Sequence, residues 1–208
     1  MSGMIEAGLV GLLVLAAGTD RPVLPPRHDV AVTYRTTGAA AALIPDGGPL
    51  GGLGGGPGSG PAGAIGQMRL RWNASGLLRL EADGRPQVLL LETAGPSAHI
   101  IDSGLRSAIS LPMKRRDIDA ITLASADMAR VREDRVAGLA CTVWSVHTRN
   151  GNGTVCVTPD GVPLRAEGAV DGKQGTLTAT AVDMAPQPAE LFKIPPGYMS
   201  FSLPKFGK

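Results

Sequence analysis

Apolar and polar residues alternate with period two along most of this chain, the spacing that turns one face of a strand inward and the other to water. In Asp29 to Thr37, Val30, Val32 and Tyr34 share one face while Thr33 and Arg35 share the other. In Gln67 to Asn73, Met68, Leu70 and Trp72 alternate with Arg69 and Arg71, and after the turn Ala74-Ser75-Gly76, Leu78 and Leu80 alternate with Arg79 and Glu81. Gln87 to Glu92, Ala98 to Asp102 and Leu105 to Leu111 continue the series, with Asp102-Ser103-Gly104 as a turn. Lys114 to Ala126 is the best helical segment, with Ile118, Ile121 and Ser125 on one face. Strands are expected again at Met128 to Arg132, Leu139 to Thr148, Thr154 to Val157, Val162 to Glu167 and Thr176 to Val182. Thr158-Pro159-Asp160-Gly161 has the residues of a type I turn. Short strands punctuated by turns predict a mainly β (α+β) fold, as a sandwich or a curled antiparallel sheet.

Two stretches break the pattern. Ala7 to Gly18 is continuously apolar, too short for the roughly 20 residues of a membrane span but suited to the core of a signal peptide. The preceding segment carries Glu6 and no Lys or Arg, so a buried first strand or helix is the alternative. Residues 46–66 are dominated by Gly and cannot bury enough side chain to offset their ordering entropy, which predicts a flexible insertion. The expected organisation is a leader or hydrophobic segment at 1–19, a proline-rich linker at 20–27 and one β-rich domain at 28–208, interrupted at 46–66.

Composition excludes several function classes. Lys and Arg number 20 against 18 Asp and Glu, and aromatics are 3%, so neither a basic footprint nor a stacking platform for nucleic acid is present. Gly58, Gly60 and Gly63 satisfy G-x-G-x-x-G, but no strand feeds them and no helix follows, so no nucleotide cofactor is expected. His28, His99 and His147 lack metal-ligand spacing. Ser97 stands near His99 without a nucleophile elbow, Asp117 and Asp119 suit a helix start, and Glu133 and Asp134 suit a turn. Asn73 and Asn152 also read as turn residues. No catalytic residue, metal ligand or cofactor is assigned.

Cys141 and Cys156 are the two cysteines, and a pair in an exported chain suggests a disulfide. A hairpin about Asn150-Gly151-Asn152-Gly153 would set Cys141 opposite residues near 160, so a bulge or another strand order would be needed to join them. Two buried thiols are the alternative.

The last third of the chain resembles a set of uncharacterised exported bacterial domains. Gly138, Cys141 and Thr142 are followed by Cys156, Thr158, Asp160, Gly161, Leu164 and Arg165, then by a tail with Leu191, Phe192, Pro195, Gly197 and Tyr198. Those domains are similar to the lipoprotein-carrier superfold of the LolA/LppX type, a curled antiparallel half-barrel whose concave apolar face is partly covered by short helices. The resemblance implies a periplasmic or secreted envelope protein, not an enzyme, that binds or carries a lipid-like ligand. Leu70, Trp72, Leu78, Leu80 and Leu90 are the candidates for the binding face. The alternative is a module that meets an envelope protein partner and has a closed core.

Overall fold

The computed structural model describes residues 21–38, 66–95, 97–148, 151–170 and 173–202. The expected leader at 1–19 and the glycine-rich insertion, apart from Gly66, lie outside the described residues.

Among the described residues the strands form one sheet. They are β1 (Val30–Gly38), β2 (Gly66–Trp72), β3 (Leu77–Ala82), β4 (Gln87–Glu92), β5 (Ser97–Asp102), β6 (Ser107–Pro112), β7 (Asp127–Val136), β8 (Leu139–Thr148), β9 (Gly151–Val157), β10 (Pro163–Val170), β11 (Lys173–Asp183) and β12 (Met199–Ser202). Helix α1 (Arg115–Ile121) links β6 to β7. The order across the sheet is β12-β6-β5-β4-β3-β2-β1-β11-β10-β9-β8-β7. Two meanders, β1 to β6 and β7 to β11, are thus joined by the antiparallel pairing of β1 with β11. β12 alone runs parallel to its neighbour, β6.

Register keeps the predicted apolar positions on one face. Val30 pairs with Trp72, Val32 with Leu70, Trp72 with Leu78, Leu78 with Leu91 and Leu91 with Ala98. These residues pack in the same cluster as Cys141, Val143, Cys156 and Leu164, which lie on the far half of the sheet. One face of a single sheet meets itself in this way only if the sheet curls, so the expected half-barrel is what forms. Ile118 of α1 enters the same cluster from the hollow side.

The straps on the outer face were not foreseen. Leu24 packs against Trp144, Val146, Val155 and Val157, and the Arg21 guanidinium donates to the carbonyls of Ala124 and Ala126. The stretch expected to be a linker therefore lies along β8 and β9. At the other side, Ile194 and Tyr198 cover Leu90, Ile101 and Ala108. Arg79 anchors that tail by donating to the Leu191 carbonyl at 2.7 Å.

Several local expectations are corrected. The helix is seven residues rather than 114–126, because Leu123 takes a left-handed φ of 57° and the Thr122 hydroxyl bonds back to the Ile118 carbonyl. Glu133 and Asp134 lie within β7, not in a turn; the reversal falls at Ala137-Gly138, both at positive φ. Asn73 is a turn residue, its Oδ1 accepting from the amides of Ser75 and Leu77, but Asn152 is paired within β9. β12 went unpredicted, since all four of its residues are exposed and no alternation marks it.

Candidate functional site

The candidate binding residues divide between two faces. Leu70, Trp72, Leu78 and Leu80 share the inner face through the register of β2 and β3. Leu90 does not join them, because it pairs with Arg79 and His99 on the outer face and packs under the C-terminal strap. The expectation of one five-residue surface misplaced it because β4 is apolar on both faces, from Val88 to Leu91.

The centre of the inner face is packed by the chain itself, whereas Leu70, Leu80, Leu89 and Ile109 along the same face are only partly buried. Leu78 is 3% exposed and Leu91 1%, with Trp72, Leu111, Met113 and Ile118 packed around them. Among the described residues, Trp72 Nε1 is the buried side-chain polar atom that has no hydrogen-bond partner. Leaving such a donor unpaired costs about 1–3 kcal/mol.

Two cavities open on the described residues. One of about 160 Å³ opens beside Leu78, Leu90 and Leu91, with Leu77, Glu92, His99 and Phe192 completing its wall, so it borders two of the candidate binding residues. It is smaller than the roughly 300–1,000 Å³ of small-molecule sites. A second, of about 360 Å³, is lined largely by Thr33, Gln67, Arg69, Glu81 and Asp83, a polar wall unsuited to an acyl chain.

Among the described residues no hydrolytic constellation forms around Ser97. Its hydroxyl donates to Glu92 at 3.1 Å, whereas the His99 ring meets Ser110 at 2.9 Å. Strand pairing explains both contacts, since Ser97 faces Glu92 and His99 faces Ser110 across adjacent ladders. Among the described residues no cluster of three or more His, Cys, Asp or Glu could hold a metal ion.

The cysteines form a disulfide with a Cα–Cα distance of 5.5 Å. The β8–β9 ladder is regular and closes at Thr148 and Gly151, with Val143 opposite Cys156. Cys141 therefore reaches its partner diagonally on the same face, and neither a bulge in this ladder nor a changed strand order is needed. Asp134 pairs with Cys141 in one ladder and Arg165 with Cys156 in another, and the two charged side chains form an ion pair. The Arg135 amide and then the Arg165 guanidinium hold the Asp134 carboxyl below its ordinary range.

A second charged group sits on the outer face. Glu81 accepts from Arg79 at 2.6 Å and also pairs with Arg71. Burial pushes the Glu81 carboxyl up, but the bonds and charges of Arg79 and Arg71 outweigh it and hold the pKa below its ordinary 4.5. Asp29 acts as a clamp, accepting from the Ala74 and Gln187 amides at 2.8 Å each. The alternation Arg71, Arg79, Glu81 was visible in the sequence, but the long-range partners of Asp29 and Arg79 carried no local signal.

No protein-family model matches the chain, and no curated protein matches it by sequence. Solved structures similar to it include an uncharacterized conserved protein from Thermus thermophilus, at 10% identity and TM-score 0.55, covering 85% of this chain and 91% of that one. They also include MucB in the MucA/MucB complex of Pseudomonas aeruginosa, at 17% identity and TM-score 0.46, covering 80% of this chain and 56% of that one. A LolA superfamily protein from Nitrosomonas europaea is similar at 10% identity and TM-score 0.38, covering 81% of this chain and 91% of that one. At these identities the likeness is one of fold.

Proposed function

We propose that this chain is a non-catalytic binding module of the bacterial cell envelope that recognises a partner protein through the outside and edges of its curled sheet. The observation that carries the reading is the packed centre of the inner face, where Leu78, Leu91, Leu111 and Ile118 are buried against one another. An oxidising compartment is supported by the buried Cys141–Cys156 bridge, since such bonds persist mainly outside the cytosol. The resemblance of the last third to exported domains points the same way. Among the described residues no helix is long and apolar enough to cross a membrane.

One observation favours a second reading, carriage of a lipid-like ligand. Trp72 Nε1 is a buried donor on the inner face without a partner, and a ligand carbonyl entering beneath α1 would supply the acceptor.

Native mass spectrometry separates the two readings, using the full chain prepared from the periplasm without reductant. A bare mass, lower by two hydrogens for the disulfide, is the expected result. A detergent-displaceable adduct of lipid mass would overturn the first reading in favour of the second.

A further inference from the structure

The two edges of the sheet are built differently. β7 carries Arg130, Arg132, Glu133, Asp134 and Arg135, and its ladder is broken by a bulge between Arg130 and Arg132. Charge and bulges are the devices that keep an edge from pairing with other strands. β12 has neither: it reads Met-Ser-Phe-Ser, all four residues are exposed, and among the described residues it pairs only with β6. About half of its backbone donors and acceptors therefore face away from the sheet.

Apolar side chains gather at this edge. Met199 is 60% and Phe201 52% exposed, and Leu105, 71% exposed, sits in the turn whose Arg106 carbonyl accepts from the Met199 amide at 2.9 Å. Charge is asymmetric along the strand. β12 runs alongside β6 toward Lys114, Arg115 and Arg116, where Asp117 and Asp119 offset only part of the positive charge. A second copy pairing about a two-fold axis would run antiparallel and set this basic run against the Arg106 turn. Asp102 there is already bonded to Gln87 and the Leu105 amide.

We propose that β12 accepts an extended segment of a partner protein as an added strand, with apolar residues at alternate positions and acidic residues beyond the end nearest Lys114. Backbone pairing supplies affinity, the exposed Met199 and Phe201 at alternate positions of β12 select apolar side chains, and the basic run fixes direction. This inference rests on the protein-binding reading and names the surface it uses.

The test uses the full chain and a fluorescent synthetic peptide, Thr-Val-Thr-Ile-Thr-Val-Asp-Glu-Asp, with a control peptide in which Lys replaces the acidic residues. The expected result is saturable binding of the acidic peptide, with hydrogen-exchange protection at Met199 to Ser202. Phe201→Lys and, independently, Met199→Lys should weaken binding roughly tenfold, and Arg115→Glu should weaken it several-fold. Both edge side chains are exposed, so a melting curve superimposable on the parent verifies folding. Absence of saturable binding, or equal affinity in both Lys variants, overturns the proposal. So does a dimer of the parent chain that Phe201→Lys dissociates, which would assign the edge to a second copy. Peptide protection mapped elsewhere on the sheet defeats this inference and leaves the protein-binding reading standing.

Discussion

Asp134 on β7 and Arg165 on β10 form an ion pair across the two intervening strands, β8 and β9, which carry Cys141 and Cys156. The row Asp134–Cys141–Cys156–Arg165 runs across four neighbouring strands, with ladder pairing at both ends and the diagonal disulfide at its middle. It ties one wing of the half-barrel covalently at its middle and electrostatically at its ends. About a quarter of each charged side chain is exposed, so the covalent link is the stronger element.

The disulfide closes a sequence separation of 15 residues. Cys141→Ser with Cys156→Ser should therefore lower stability by about 3 kcal/mol. Urea unfolding with and without reductant checks this: the parent should lose a similar amount on reduction, and the double variant should be insensitive to it.

Glu81 has a depressed pKa, so its contribution is full above its ordinary 4.5 and is lost as pH falls through the lower folded value. Unfolding measured from pH 6 down to pH 2 should show a loss of stability below about pH 4.5 that is smaller in Glu81→Gln. The size should be modest, because Glu81 keeps 29% of its side chain exposed.

Leu91→Ala removes a side chain 1% exposed at the centre of the inner cluster and should cost about 2–5 kcal/mol. Ile118→Ala should cost a similar amount if α1 is a fixed cover of the hollow, which thermal and denaturant melts would establish.

Gly161 lies at φ 90°, and a Cβ there would meet the Val23 carbonyl oxygen at 2.7 Å. Gly161→Ala should both strain the turn after Thr158 and lift the N-terminal strap, destabilising by more than about 1 kcal/mol. Increased hydrogen exchange over residues 21–26 and over β8–β9 is the expected signature.

The period-two pattern was enough to recover most strands because register is dictated by burial: a one-residue slip would turn Leu78 and Trp72 to solvent. The type I turn at Thr158–Gly161 was equally legible, its Gly161 amide bonding to the Thr158 carbonyl at 3.0 Å. The outer straps were not legible, since Leu24, Ile194 and Tyr198 find partners more than 80 residues away. The tail residues Phe192 and Tyr198, marked in the sequence by the resemblance alone, have packing roles: Phe192 is buried and Tyr198 covers the outer face of β4 to β6. Leu90 was misassigned because a strand apolar on both sides carries no information about which side is the hollow.

The most direct measurement is titration of the full chain, carrying Trp144→Phe, with a dansyl-labelled fatty acid. Trp72 is then the only remaining tryptophan and lies on the inner face. The packed centre of the inner face around Trp72 predicts no saturable energy transfer from Trp72 to the dansyl group. Saturable transfer with one fatty acid per chain would contradict it, and would show that the half-barrel opens to carry a lipid.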